Sequence, residues 1–310
     1  MTAPRRRAAA QALTQQAALA EVISAFVERG VRALLIKGSV TARLLGVDPI
    51  VRPSVDLDLL VAESALPAAA EALAVLGFQD RYRAARPSEL ALAPHGQTWT
   101  RGGPFPVVVD LHHSLYHVRS PEMLFLALSR DAHSIAVGRT MVEVPGDGGC
   151  ALIIALHAAQ HGRGVVKTVE DLRGAIRYVP EKTWHQAAML AGELGVVGPF
   201  AVGLRLVDGG AALADRLGVR GSVTVSDHLR AQSAPNGPLW IDQLRRAPTF
   251  GAAATVLHDA LLPSPAAVRA NHPDLGQSRG RLAAYYVLRW LRIPRALVLY
   301  ARVRVRHVDE

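Results

Sequence analysis

Val55-Asp56-Leu57-Asp58-Leu59-Leu60-Val61 alternates apolar and acidic residues at its start and then becomes wholly apolar, the pattern of a strand entering a core. Its period of two puts Asp56 and Asp58 on one face. Upstream, the short apolar run Ala33 to Ile36 reads as a buried strand that ends in Lys37-Gly38-Ser39. Val40, Leu44 and Leu45 then mark one helix face until Gly46, so this stretch reads as strand, tight turn, helix. Downstream, Gln97 to Arg101 and Val107 to His112 read as two strands around the loop Gly102-Gly103-Pro104. Asp110 closes the apolar run of the second, a carboxylate at the edge of a sheet core.

Farther out, Ala8 to Arg29 has helical apolar spacing and stops at Gly30, and Ser64 to Leu76 reads as a helix stopped by Gly77. A weaker strand pair is expected at Ser134 to Val137 and Thr140 to Val144, turning at Gly138-Arg139. From Asp147 the pattern turns helical, with candidates at Ala151 to His161, Val169 to Tyr178, Trp184 to Leu194 and Phe200 to Leu206. The expected class is α/β (α+β): residues 1–145 with an N-terminal helix and a small mixed sheet, and residues 146–310 as a mostly α-helical domain. Pro263 to Gly280 reads as a surface loop or linker.

Composition narrows the function. Half of the 310 residues are hydrophobic and 20% are charged, enough apolar surface for a globular core. The net charge of +9 suits a polyanionic partner, but 32 of the 35 basic residues are scattered arginines with little aromatic material among them, a general bias with no strong nucleic-acid signal. A single cysteine, Cys150, excludes an internal disulfide or a zinc cluster of cysteines. Polar breaks after Arg5-Arg6-Arg7 argue against a secretory segment, and a cytoplasmic location is expected. Tyr285 to Val308 is apolar yet carries six arginines, so it reads as a docked helix with snorkelling arginines, ahead of an anionic-lipid binder, and not as a transmembrane segment.

Two like charges on one strand face repel unless a cation or solvent intervenes; Asp56 and Asp58 fit a solvated strand face or a divalent metal, and the metal resolves the tension directly. Mg²⁺ takes carboxylate and phosphate oxygens together, and a Gly-Ser turn between strand and helix exposes N–H groups that can hold phosphate. Asp110 supplies a third acid, to share the metal or to take a proton from an acceptor. His157 and His161 are four apart and share a helix face, but no glutamate accompanies them as in His-Glu-x-x-His, so a structural or supporting role is favoured over zinc. His112 is expected on the strand face of Asp110, near nucleotide or acceptor.

With Gly38-Ser39, Asp56-Leu57-Asp58 and Asp110 in this order, the sequence resembles the polymerase-β-like nucleotidyltransferase superfamily. Leu35-Ile36-Lys37-Gly38, Arg52, the run Asp56 to Val61 and Asp110-Leu111-His112 further resemble an uncharacterised bacterial nucleotidyltransferase family often found near peptide natural-product genes. The likeness is best over Leu34 to Leu115. It implies Asp56, Asp58 and Asp110 as catalytic metal ligands for Mg²⁺, with Mn²⁺ able to take the same place. It implies Gly38 and Ser39 as the phosphate-holding turn, and Lys37 and Arg52 as cationic contacts to the triphosphate. The implied reaction moves a nucleotidyl group from a nucleoside triphosphate, the nucleotide donor, to a hydroxyl or phosphate of a small-molecule or peptide acceptor. Two alternatives stay open: a transferase using a nucleotide-sugar donor in peptide tailoring, and a non-catalytic nucleotide- or peptide-binding module.

Overall fold

In the computed structural model, which describes residues 3–47, 56–90, 95–221, 225–231 and 239–308, the chain opens as helix, strand and helix. These are α1 (Ala3–Glu28), β1 (Ala33–Leu35) and α2 (Ser39–Leu44). There follow β2 (Asp56–Val61), α3 (Leu66–Val75), β3 (Gln79–Asp80), α4 (Pro87–Leu90), β4 (Gly96–Arg101), β5 (Val107–His112), α5 (Pro121–Ser129), β6 (His133–Val137) and β7 (Thr140–Val144). From Asp147 the described chain is helical: α6 (Asp147–His161), α7 (Val166–Tyr178), α8 (Glu181–Glu193), α9 (Val197–Leu204), α10 (Gly210–Arg216), α11 (Val225–Ala231), α12 (Leu239–Arg246), α13 (Phe250–Leu261), α14 (Pro265–Asn271), α15 (Arg279–Leu291) and α16 (Ile293–Val308). This is the mixed α/β class with a helical C-terminal region that the periodicity led us to expect.

Five strands form one mixed sheet in the order β1-β2-β5-β4-β3, while β6 and β7 pair separately as a hairpin. β2 and β5 run parallel, and the other neighbours in the sheet run antiparallel. Both faces of the sheet are covered, which is why β2 reads as a nearly continuous apolar run after Asp58. On one face, Leu57, Leu59 and Val61 join Trp99, Val109 and Leu111 and pack with Leu19, Val22 and Phe26 of α1 and Leu73 of α3. On the other, Leu34 and Leu60 join Leu152 and Leu156 of α6 in a second cluster that continues through Trp184 and Phe200. Each large apolar side chain fully buried in this way contributes on the order of 1.5–3 kcal/mol.

α6 is the hinge between sheet and helices, because almost every residue from Gly148 to Ala159 is buried. α9 approaches it so closely that a Cβ at Gly203 would collide with the Ala155 carbonyl oxygen, so only glycine fits at that crossing. Near its C-terminal end, α6 brings His157 and Gln160 beside Lys37 and His112.

One expectation needs correction. Pro263 to Gly280 is not a loop: it contains α14, a short 3₁₀ turn at Pro273–Leu275, and the start of α15. Ser264 accepts a hydrogen bond from the Ala267 N–H and Pro265 follows it, a helix start that reads superficially as a run of breakers. The Asp48-Pro49 turn and Val55 lie outside the described residues.

Candidate active site

The acids are brought together by strand register. In the parallel β2–β5 pair Asp58 lies opposite Asp110, and Asp56 lies opposite Val108, so the pleat directs all three carboxylates to one face. One ligand-capable oxygen from each of Asp56, Asp58 and Asp110 lies within 4.8 Å of the others, the group among the described residues whose geometry suits a metal ion. On the far side of β5, Thr98 of β4 is opposite Asp110, and its hydroxyl donates to Asp110 Oδ1 at 2.7 Å. That bond fixes the third carboxylate from the side away from the other two.

Asp58 is the buried member, 3% exposed. Lys37 Nζ donates to its Oδ1 at 2.6 Å, and His112 Nε2 lies 3.0 Å from the same oxygen. Burial alone would push this carboxyl up; the Lys37 charge and the His112 bond outweigh it and hold the group well below the usual carboxylate range. Lys37 reaches it because β1 ends at Leu35 and the chain turns sharply at Gly38, whose φ of +66° favours glycine. Gly38 stands at the N-cap position of α2 and Ser39 is the first residue of that helix, both directly beyond Lys37.

Next to Asp58 a small cavity is lined by Lys37, His95, His112, Tyr116, His157 and Gln160, among others. Burial, and then the neighbouring Lys37 charge, lowers the proton affinity of His157 and His161, whose rings meet edge to face at 4.6 Å. His95 is lowered to about 4, first by burial and then by His112. The Nδ1 atoms of His95 and His112 are buried without a hydrogen-bonding partner among the described residues. The open ring nitrogens of His95 and His112 give this otherwise largely apolar cavity polar groups that a ligand can meet. Its far wall is braced by Tyr116, which donates to Asp227 Oδ1 at 2.8 Å and lies under the Arg230 guanidinium.

Of the residues expected from the sequence, the fold brings Lys37, Asp56, Asp58 and Asp110 together and sets Gly38 and Ser39 at the adjoining helix start. Arg52 lies outside the described residues. His112 does share the Asp110 face, but its partner is Asp58 across the strand pair. His157 lines the cavity from α6, and the His161 ring one turn on meets it edge to face. Thr98, His95, Tyr116 and Gln160 were not anticipated. Alternation in β4 could have flagged Thr98, whereas His95 and Tyr116 sit just outside strands and carry no periodic signal. Cys150 is buried, and burial raises its thiol to about 12, which suits a core residue.

The donor set suits a hard divalent cation. Three carboxylates offer oxygen ligands only, the preference of Mg²⁺ and Mn²⁺ over softer metals. Asp58 also remains ionised despite its burial, so it can take a metal without first losing a proton.

The sequence matches the model of a family described as uncharacterised nucleotidyltransferase over residues 1–209. No curated protein matches it. Among solved structures, the antibiotic-resistance factor ANT(2'')-Ia is similar with a TM-score of 0.41 and 14% identity, over 59% of this chain and 95% of that one. An antigenic nucleotidyltransferase-like protein from Paracoccidioides brasiliensis is similar with a TM-score of 0.37 and 13% identity, over 60% of this chain and 92% of that one.

Proposed function

Since this chain belongs to the uncharacterised nucleotidyltransferase family, we propose that it moves a nucleotidyl group from a nucleoside triphosphate to a hydroxyl or phosphate oxygen of a small-molecule or peptide acceptor, with Mg²⁺ at Asp56, Asp58 and Asp110. The observation that carries this reading is the meeting of three carboxylate oxygens within 4.8 Å beside the Lys37 ammonium. Bound Mg²⁺ supplies positive charge that neutralises phosphate oxygens and orients them for displacement.

The chain's own groups do the rest. The start of α2 at Gly38 and Ser39 offers N–H and hydroxyl donors to the triphosphate, and Lys37 and Arg52 offer cationic donors. Asp110, with Thr98 occupying one oxygen, accepts the proton of the incoming hydroxyl. The acceptor oxygen bonds to the α-phosphorus, the bond from that phosphorus to the bridging oxygen breaks, and pyrophosphate leaves with the electron pair. The histidine-lined cavity beside Asp58 receives part of the acceptor.

The test is release of pyrophosphate from each nucleoside triphosphate with Mg²⁺ across an acceptor panel. The native chain should release it and the variant carrying Asp56→Asn with Asp58→Asn should not. Unchanged turnover in that variant overturns the reading. Release of a nucleoside diphosphate from a nucleotide sugar, without pyrophosphate from any triphosphate, replaces the donor.

A further inference from the structure

α15 leaves large apolar side chains in solvent beside its exposed arginines. Val287, Leu288 and Leu291 are 53%, 54% and 67% exposed, and in α16 Leu297 and Val298 continue the apolar surface at 48% and 51%. None of the residues of α15 is buried. The side chains that face the body of the protein hold it by polar tethers: Arg289 Nε donates to the Ala260 carbonyl and Trp290 Nε1 to the Leu261 carbonyl, each at 2.8 Å. A helix docked for stability would bury its leucines and expose its arginines. Here the leucines face outward.

Charge points the same way. Between Gly276 and Val308 the sequence has eight arginines and no aspartate or glutamate. Arg281 precedes the apolar stripe and Arg292 and Arg295 follow it, all three exposed. Apolar side chains bracketed by uncompensated arginines match the layering of an anionic bilayer surface, where apolar groups enter the boundary region and guanidinium groups meet lipid phosphates. No helix among the described residues is long and apolar enough to cross a membrane, so these helices would lie along a surface.

We propose that the outer face of α15 and the start of α16 dock this protein peripherally on an anionic lipid bilayer. The test is sedimentation of the full chain with vesicles of phosphatidylcholine alone or mixed with phosphatidylglycerol. The chain should partition onto the mixed vesicles at least about tenfold more strongly than onto phosphatidylcholine. Leu288→Glu with Leu291→Glu, and separately Arg292→Glu with Arg295→Glu, should each lower that partitioning about tenfold without changing the melting temperature, because all four side chains are exposed. Equal binding to both vesicle types, no binding to either, or leucine variants that bind as the native chain does would each overturn the proposal. So would a lipid-free dimer that the leucine variant dissociates, or an oligonucleotide that binds this face in preference to the mixed vesicles.

Discussion

Replacing Lys37 with methionine tests how the buried carboxylate is held. Asp58 is 3% exposed and Lys37 19%, with 2.6 Å between Nζ and Oδ1. Removing one partner of a fully buried pair costs about 3–5 kcal/mol, because a charge is left in low dielectric without compensation. Lys37 is partly solvated and His112 remains on the same oxygen, so about 2–3 kcal/mol is expected for Lys37→Met at pH 7. The pH dependence has a definite sign. The folded-state affinity of Asp58 for protons is depressed, so its stabilisation is present above the unfolded carboxylate value of about 3.9 and is lost as pH falls below it. The unfolded chains titrate alike, so the gap between native and variant chains is full at pH 7 and narrows on acidification as Asp58 of the variant, without the Lys37 charge, takes up its proton before that of the native chain. Urea unfolding at a series of pH values measures it, and Mg²⁺ should raise the melting temperature of the variant more than that of the native chain. A loss under about 0.5 kcal/mol at pH 7, or a loss of the same size at pH 7 and in acid, would refute the reasoning.

The cavity histidines predict acid sensitivity at a higher pH. His95 is lowered to about 4, so below the unfolded value of about 6.5 the unfolded chain binds the extra proton, and stability falls between these limits. Proton linkage gives up to about 2 kcal/mol at pH 5, and solvent reaching the ring trims this to about 1. His95→Gln should remove that share of the loss between pH 8 and pH 5, seen as a smaller shift of the urea midpoint; an unaltered shift would contradict it. Thr98→Val frees Asp110 of its hydrogen bond and should lower turnover about tenfold with the melting temperature nearly unchanged, checked by initial rates beside calorimetry. Gly38→Ala forces a side chain into φ +66° and should cost about 1–2 kcal/mol of stability, measured by denaturant unfolding, along with a higher KM for the triphosphate.

Strand periodicity made much of this legible. Val107 to His112 is a strand with the bounds its apolar run suggested, and the two-residue spacing of Asp56 and Asp58 put them on one face. Alternation within a strand does not say which strands are neighbours. The contact of His112 with Asp58 depends on β2 and β5 running parallel with Asp58 opposite Asp110; a slip of one residue would send these side chains to opposite faces. Helices with proline starts were the other blind spot. Ser264-Pro265 and Ser120-Pro121 each combine an N-cap serine with proline at the first helical position, a pair that looks like helix breakers in sequence and like a helix start only once the serine oxygen meets the N–H ahead of it. His95 and Tyr116 line the cavity from positions outside regular strands, where only the tertiary fold assigns them a place.

The most direct measurement is a crystal structure with Mn²⁺ and a non-hydrolysable nucleoside triphosphate analogue, the metal located by its anomalous signal. The account predicts a metal roughly 2.0–2.2 Å from carboxylate oxygens of Asp56 and Asp58, phosphates at the start of α2, and Lys37 moved from Asp58 to a phosphate oxygen. A nucleotide bound away from the three acids, with the Lys37–Asp58 pair intact and no metal between the carboxylates, would contradict it.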